Sequence, residues 1–213
     1  MKTFLSLFIG LVVTLSSFGQ QTIFDAAQSG DIAALKSIIT KDALAINKQN
    51  NEGYTPLMLA VNNGDLNTIN YLLKNGANVN AQDHSGNTAL MSAAYKNHTT
   101  IAKQLLAYDA SVVVMNFDQA TALTLATQYE NYKIAALLLA HGANVHTKDS
   151  NGKSALDYAK SQQNKDFIEL VTNQGNKTNK VETKRVGSYM SNSIKTLELH
   201  KNKPTQIAGC YMQ

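Results

Sequence analysis

Residues 55–60 read Thr-Pro-Leu-Met-Leu-Ala, and this stretch recurs along the chain. Versions of it start again, 33 residues further each time, at Thr88, Thr121 and Ser154. A second marker keeps the same step: Gly-Ala-Asn-Val begins at Gly76 and at Gly142, with Asp-Ala-Ser-Val at Asp109 between them. Two markers that hold one phase predict an array of repeats, each repeat being one supersecondary unit.

Each unit is predicted to contain two short helices. Thr55 can cap the helix that Pro56 begins, because Thr is a favoured N-cap residue and Pro is well tolerated at the first helical position. A second apolar helix over residues 66–74 ends before Gly76, where a left-handed conformation is wanted. Residues 79–86 then cross to the next unit as an extended arm and a turn.

This pattern resembles the ankyrin repeat. The resemblance is carried by Thr-Pro-Leu at residues 55–57, by the Gly-Ala-Asn-Val turns and by paired leucines, namely Leu72-Leu73, Leu105-Leu106 and Leu138-Leu139. It implies an all-α solenoid of about five helix-turn-helix units, with short β-hairpin fingers that form a curved groove with the helices. The resulting division of residues 20–176 is a cap, three repeats and a second cap, at residues 21–51, 52–84, 85–117, 118–150 and 151–176.

The sequence departs from the family pattern in two ways. The position after Thr-Pro-Leu, where many ankyrin repeats have His, holds Met58, Met91, Thr124 and Asp157. Between the third and fourth units, Asp109 and Gln119 stand where the other units have Gly, and a left-handed Asp costs up to about 1 kcal/mol against Gly. This junction is therefore either a soft joint or a place that function has shaped.

The N-terminus has the three-part layout of a secretory signal peptide. Lys2 supplies a positive charge, residues 4–15 are mostly apolar, and Ser17 and Gly19 suit cleavage before Gln20. The alternatives are a buried helix or a membrane anchor, but the apolar run is short for a span of roughly 20 residues. We expect residues 1–19 to be removed and the mature protein to be periplasmic in a bacterium, or secreted.

Charge is unevenly distributed along the chain. Residues 20–176 hold 11 Lys against 13 Asp and Glu, whereas residues 177–213 hold seven Lys and Arg against two Glu. The basic character belongs to this tail, which is mostly polar and typical of a flexible segment. A body that is not basic argues against nucleic-acid binding.

No sequence motif for catalysis, phosphate binding or a paired-cysteine metal site is present. His141 and His146 lie five apart near a predicted helix end, where a histidine is favoured by the helix dipole more readily than by a metal. Cys210 is the single cysteine, so no intrachain disulfide can form. We expect no enzyme activity, no cofactor and no metal.

The resemblance places the inner helices and finger tips on the groove, where side chains are free to vary. The residues predicted to bind a partner there are Tyr54, His84, Tyr95, Lys96, Met115, Phe117, Gln128 and Tyr129, and the wider set adds Asn62, Asn63, Gln82, Asn87, Lys148 and Ser150. Four apolar or aromatic members from adjacent units, Tyr95, Met115, Phe117 and Tyr129, are expected to lie near each other. Aromatic residues and Met are enriched at interfaces, so this cluster predicts a protein partner.

The predicted function is non-catalytic protein binding by a monomer through this groove. An alternative is that the basic tail binds acidic surface polymers or lipid, as in an envelope-associated accessory protein. A third possibility is that the tail, whose apolar residues include Ile194 and Leu197, folds back and covers the cluster.

Overall fold

The computed structural model describes residues 21–163, 165, 168 and 169. The predicted signal segment and the basic tail, with Cys210, lie outside these residues. Within them the chain folds into consecutive pairs of short helices. Their bounds, in chain order, are α1 Ile23–Ser29, α2 Ile32–Lys41, α3 Pro56–Asn63, α4 Leu66–Lys74, α5 Ala89–Tyr95, α6 Thr99–Ala107, α7 Ala122–Gln128, α8 Tyr132–Ala140 and α9 Ala155–Ser161. A 3-10 helix, Ala43–Asn47, follows α2.

The first helix of each unit, called here the inner helix, begins at the predicted place. Thr55, Thr88, Thr121 and Ser154 each accept a hydrogen bond from the backbone N–H three residues on, and so cap α3, α5, α7 and α9. These hydrogen bonds satisfy donors that a helix start otherwise leaves without a partner. The cap explains why this stretch sets the phase of the whole array.

At the position after Thr-Pro-Leu, where many ankyrin repeats have His, the residues of this chain contribute to the N-terminal cap of the inner helix. The Thr124 hydroxyl accepts a hydrogen bond from the Thr121 N–H at 3.3 Å, and the Asp157 carboxylate accepts one from the Ser154 N–H at 2.9 Å. Met91 is 1% exposed and its sulfur lies 3.5 Å from the Thr88 nitrogen. The departures at this position therefore keep the helix start, and Met58, Met91 and Thr124 are buried as well, whereas Asp157 is exposed.

The core runs the length of the array as one cluster. Inner helices pack on their neighbours along the array and on the second helix of their own unit, while α6 and α8 also touch. Leu57, Leu90 and Leu123, one step apart, are each at most 1% exposed. The apolar periodicity thus buries equivalent side chains in successive units, as stacking of repeats requires.

The fingers are the connections between units, residues 46–54, 79–87, 112–120 and 145–153. Isolated antiparallel bridges, Gln82 with Thr88 and Lys148 with Ser154, close the second and fourth fingers, and the described residues contain no strand. Each finger hydrogen bonds to the next: the Phe117 N–H donates to Ser85 O at 3.0 Å. The fingers therefore form a continuous edge beside the inner helices.

Left-handed residues close the turns, as predicted at Gly76, Asp109 and Gln119, with φ values of 89°, 60° and 58°. Sequence reasoning missed Asn97 and Glu130, which are also left-handed, with φ of 59° and 56°. Asn97 and Glu130 lie one and two repeat lengths after Gly64, so an alignment of the repeats would have predicted their left-handed conformation.

Candidate functional site

An open cleft of about 450 Å³ lies between the fingers and the inner helices of the second and third units. Three of the predicted partner-binding residues, Tyr54, Tyr95 and Lys96, line it. The other lining residues are Asn62, Asn63, Asp83, Asn87, Met91, Ser92 and Leu125. Half of its lining residues carry a carboxamide or an aromatic ring, so the cleft can both hydrogen bond and pack against a partner.

Tyr95 and Tyr129 form the aromatic centre of this surface. Their ring centroids are 4.6 Å apart and the ring planes are inclined by 83°, an edge-to-face contact. They come from the ends of α5 and α7, so the pair spans the junction between the third and fourth units. Tyr95 is 51% exposed and Tyr129 47%, which leaves about half of each side chain available to a partner.

Met115 and Phe117 are placed differently from the two tyrosines. They lie on the third finger and are not among the residues that line the cleft. Phe117, 76% exposed, stands beside Gly86 of the preceding finger, and the Met115 carbonyl accepts a hydrogen bond from Gln82. The expected cluster of four thus consists of a tyrosine pair in contact and an apolar edge on a finger.

The remaining predicted residues have structural contacts of their own. The Lys96 ammonium donates to Asn62 O at 3.2 Å, which links the third unit to the second. The Gln128 carbonyl accepts a hydrogen bond from Gln162 at 3.1 Å, while the Gln128 side chain is exposed. His84 is exposed at the second finger, and its ring lies against Gly53 of the first.

Asp83, Met91, Ser92 and Leu125 were missed as groove residues. Asp83 anchors its finger: one carboxylate oxygen accepts the Ser85 and Asn87 N–H groups, both at 2.8 Å. This anchoring role was predictable, whereas its position on the cleft wall depends on how the finger lies over the helix.

In the part of the chain that the structure describes, no group of three or more His, Cys, Asp or Glu is placed to hold a metal ion. Over the same residues, no helix has both the length and the hydrophobicity needed to cross a bilayer.

The ankyrin-repeat profile, in three copies, matches residues 23–116 and 113–182, most of the chain. The chain therefore belongs to the ankyrin-repeat family. Such repeats are generally protein-interaction modules, and the family is typically not enzymatic. The second match extends past residue 176, where the sequence pattern placed the end of the last cap.

Proposed function

We propose that this chain binds another protein through its concave surface, outside the cytoplasm and without catalysis. The observation that carries the proposal is the half-exposed pair of Tyr95 and Tyr129 at the edge of the cleft. Binding energy concentrates in a few aromatic anchors near the centre of an interface. Because the two rings are already in contact, they lose less conformational freedom when a partner covers them.

The apolar edge of the third finger supports the same surface. Val113 is 67% exposed and Met115 48%, and together with Phe117 they alternate along one edge of the finger. The equivalent residues of the second finger are polar: Asn80, Gln82 and His84. Clustered apolar groups left exposed usually mark an interaction surface.

The cleft walls suit the polar part of such an interface. The Asn62, Asn63 and Asn87 side chains offer amide donors and acceptors beside Tyr54. Interfaces surround an apolar centre with polar groups that hydrogen bond to the partner. An extended peptide or loop with apolar side chains fits this arrangement.

The test is crosslinking in the native compartment followed by quantitative capture with the full chain. We expect Tyr95→Ala/Tyr129→Ala to weaken binding of the captured protein at least tenfold, since two anchors each contribute more than about 1 kcal/mol. Leu44→Ala is the matched control, because Leu44 is 80% exposed in the first unit and does not line the cleft. Equal binding by wild type and the double tyrosine variant would reject the site.

The extracytoplasmic location is proposed from residues 1–19. We expect fractionation to find the chain outside the cytoplasm, with a mature N-terminus at Gln20. A cytoplasmic chain that retains Met1 would contradict it.

The alternative function, binding of acidic polymers or lipid by residues 177–213, rests on the tail's seven Lys and Arg against two Glu. Such binding would weaken steeply with salt and disappear when the tail is deleted. Groove binding would survive that deletion, so one truncated chain separates the two proposals.

A further inference from the structure

Asparagine side chains fasten the first two junctions between units. The Asn47 amide donates to Gly76 O at 3.3 Å, and its oxygen accepts the Asn78 N–H at 2.7 Å. One step later, Asn80 makes the same two hydrogen bonds to the loop of the third unit, at 3.3 and 2.8 Å. This pair of bonds is therefore a repeated structural device.

A glutamine two residues later adds another link between fingers. The Gln49 amide donates to Gly53 O in its own finger at 2.9 Å and to Gln82 O in the next finger at 2.7 Å. Gln82 in turn donates to Gly86 O at 2.6 Å and to Met115 O at 3.0 Å. Together with the asparagine, three side-chain hydrogen bonds of this repeated type cross each of the first two junctions, and at the second junction the Asn116 amide also donates to the Asn87 side-chain oxygen at 2.9 Å.

The third junction cannot make these bonds. Val113 stands at the asparagine position and Met115 at the glutamine position, and neither side chain has a hydrogen-bond donor. Both side chains are exposed. The link that remains at the fingers is backbone only, from the Ser150 N–H to Asp118 O at 2.8 Å.

The same junction stays fastened at the inner helices. The Asn131 amide donates to Ala94 O at 2.7 Å, and Asn131 is only 7% exposed. Tyr95 and Tyr129 are in contact beside it. At the third junction a side-chain hydrogen bond thus joins the inner helices, whereas the fingers lack the side-chain hydrogen bonds of the first two junctions.

We propose that the junction between the third and fourth units is a hinge, which opens at the fingers and pivots about the inner helices near Asn131. Opening separates the third finger from the fourth and leaves the first three units together. If the tyrosine pair is the binding site, as proposed above, the hinge lies within it, and a partner that contacts both sides selects one hinge position.

The hydrogen-exchange rates of two backbone amides, measured in the full chain, test directly whether the hinge opens. The Ser150 amide bridges the third junction and the Phe117 amide bridges the second in the same way. After correction for intrinsic rates, we expect the Ser150 amide to exchange more than about tenfold faster than the Phe117 amide, since each missing bond is worth about fivefold.

Two double variants test the cause. Val113→Asn/Met115→Gln restores the fastenings and should slow exchange at Ser150 by about fivefold for each bond regained. The mirror variant, Asn80→Val/Gln82→Met, should speed exchange at Phe117 and leave Ser150 unchanged.

Equal protection of the two amides in the wild-type chain would overturn the proposal, even if a variant fails to fold. Unchanged exchange at Ser150 in the restored variant would also overturn it. Neither result needs a partner, so failure of the hinge is distinguishable from failure of the proposed binding function.

Discussion

The Tyr158 phenol donates a 2.6 Å hydrogen bond to a carboxylate oxygen of Asp149, and both residues are buried. Tyr158 lies in α9 and Asp149 in the fourth finger, so the bond ties a finger to the helix that follows it. The other oxygen of Asp149 accepts the Asn151 and Lys153 N–H groups, at 2.9 and 3.0 Å. The Asp149 carboxylate therefore joins the turn of the fourth finger to α9.

This bond should make stability depend on pH at both extremes. Burial opposes ionisation of Asp149, but the hydrogen bonds from Tyr158, Lys153 and Asn151 outweigh it and lower the pKa of the carboxyl below its usual 3.8. The hydrogen bond to Asp149, with burial, raises the pKa of Tyr158 above its usual 10.0. Stability from Asp149 is present above its unfolded pKa and lost as pH falls through the lowered value. Stability from Tyr158 is present below its unfolded pKa and lost as pH rises through the raised value.

We predict that Tyr158→Phe lowers the free energy of unfolding by about 1–3 kcal/mol at neutral pH, because a buried carboxylate loses a charged hydrogen bond. The variant should also flatten the alkaline loss of stability relative to wild type. Urea unfolding across the pH range measures both. Parallel alkaline curves for the two proteins would contradict the role of the phenol.

We predict that Gly86→Ala destabilises the chain more than Gly142→Ala. Both glycines have positive φ, 79° and 85°, so both substitutions carry the left-handed penalty of about 1–2 kcal/mol. A Cβ on Gly86 would also lie 2.9 Å from the Phe117 nitrogen, whereas one on Gly142 meets nothing within 4 Å. The added strain should cost about 1–3 kcal/mol more.

Thermal or urea unfolding of the two variants gives this difference directly, and the shared φ makes each the control for the other. Equal losses would mean that the fingers shift without cost to admit a methyl group.

We predict that Gln119→Gly stabilises the chain by about 0.5–1 kcal/mol. Gln119 occupies φ of 58°, where glycine avoids the left-handed penalty but gives up some entropy in the unfolded chain. The matched control is Gln119→Ala, which keeps the Cβ and should give no such gain. A loss of stability in the glycine variant would show that the glutamine side chain contributes to the finger.

We predict that His98→Asp stabilises α6 by about 0.5–1 kcal/mol, judged from urea midpoints. His98 is the N-cap of α6 but makes no capping hydrogen bond. At the equivalent positions Asp31 and Asp65 cap α2 and α4 through their carboxylates. His98→Ala is the control and should give no gain, because alanine has no side-chain acceptor for the free N–H groups of the helix start.

The array was predictable because its signals are local. A cap such as Thr55, an apolar step and a left-handed turn each depend on a few neighbouring residues, and the repeat supplies several copies of each. The contact between Tyr95 and Tyr129 was also within reach, since the two residues are 34 apart and so lie at nearly equivalent places on adjacent units. The angle between the two rings depends on how the surrounding side chains pack, and it could not be predicted from the sequence.

Long-range side-chain contacts were less accessible. Lys96 was predicted as a groove residue, and its bond to Asn62 depends on which of several rotamers a long side chain adopts. Gln162 is half-buried and donates to Thr127 O at 2.9 Å, a contact between residues 35 apart that no local pattern indicates. The sequence shows that Val113 and Met115 lie in an apolar run without side-chain donors. The consequence for the junction could be inferred only from the hydrogen bonds that the equivalent residues Asn80 and Gln82 make in the structure.

The links between inner helices have a consequence for how the chain folds. Asn63 bonds to Gln28, Lys96 to Asn62, Asn131 to Ala94 and Gln162 to Thr127, so each unit is tied to the one before it. The longest of these four bonds spans 37 residues. Chains whose contacts are close in sequence close only short loops and fold quickly. Folding can therefore start from any two adjacent units and spread outward. We expect this spreading to slow at the third junction, where Asp109 and Gln119 are left-handed and the fingers lack side-chain hydrogen bonds.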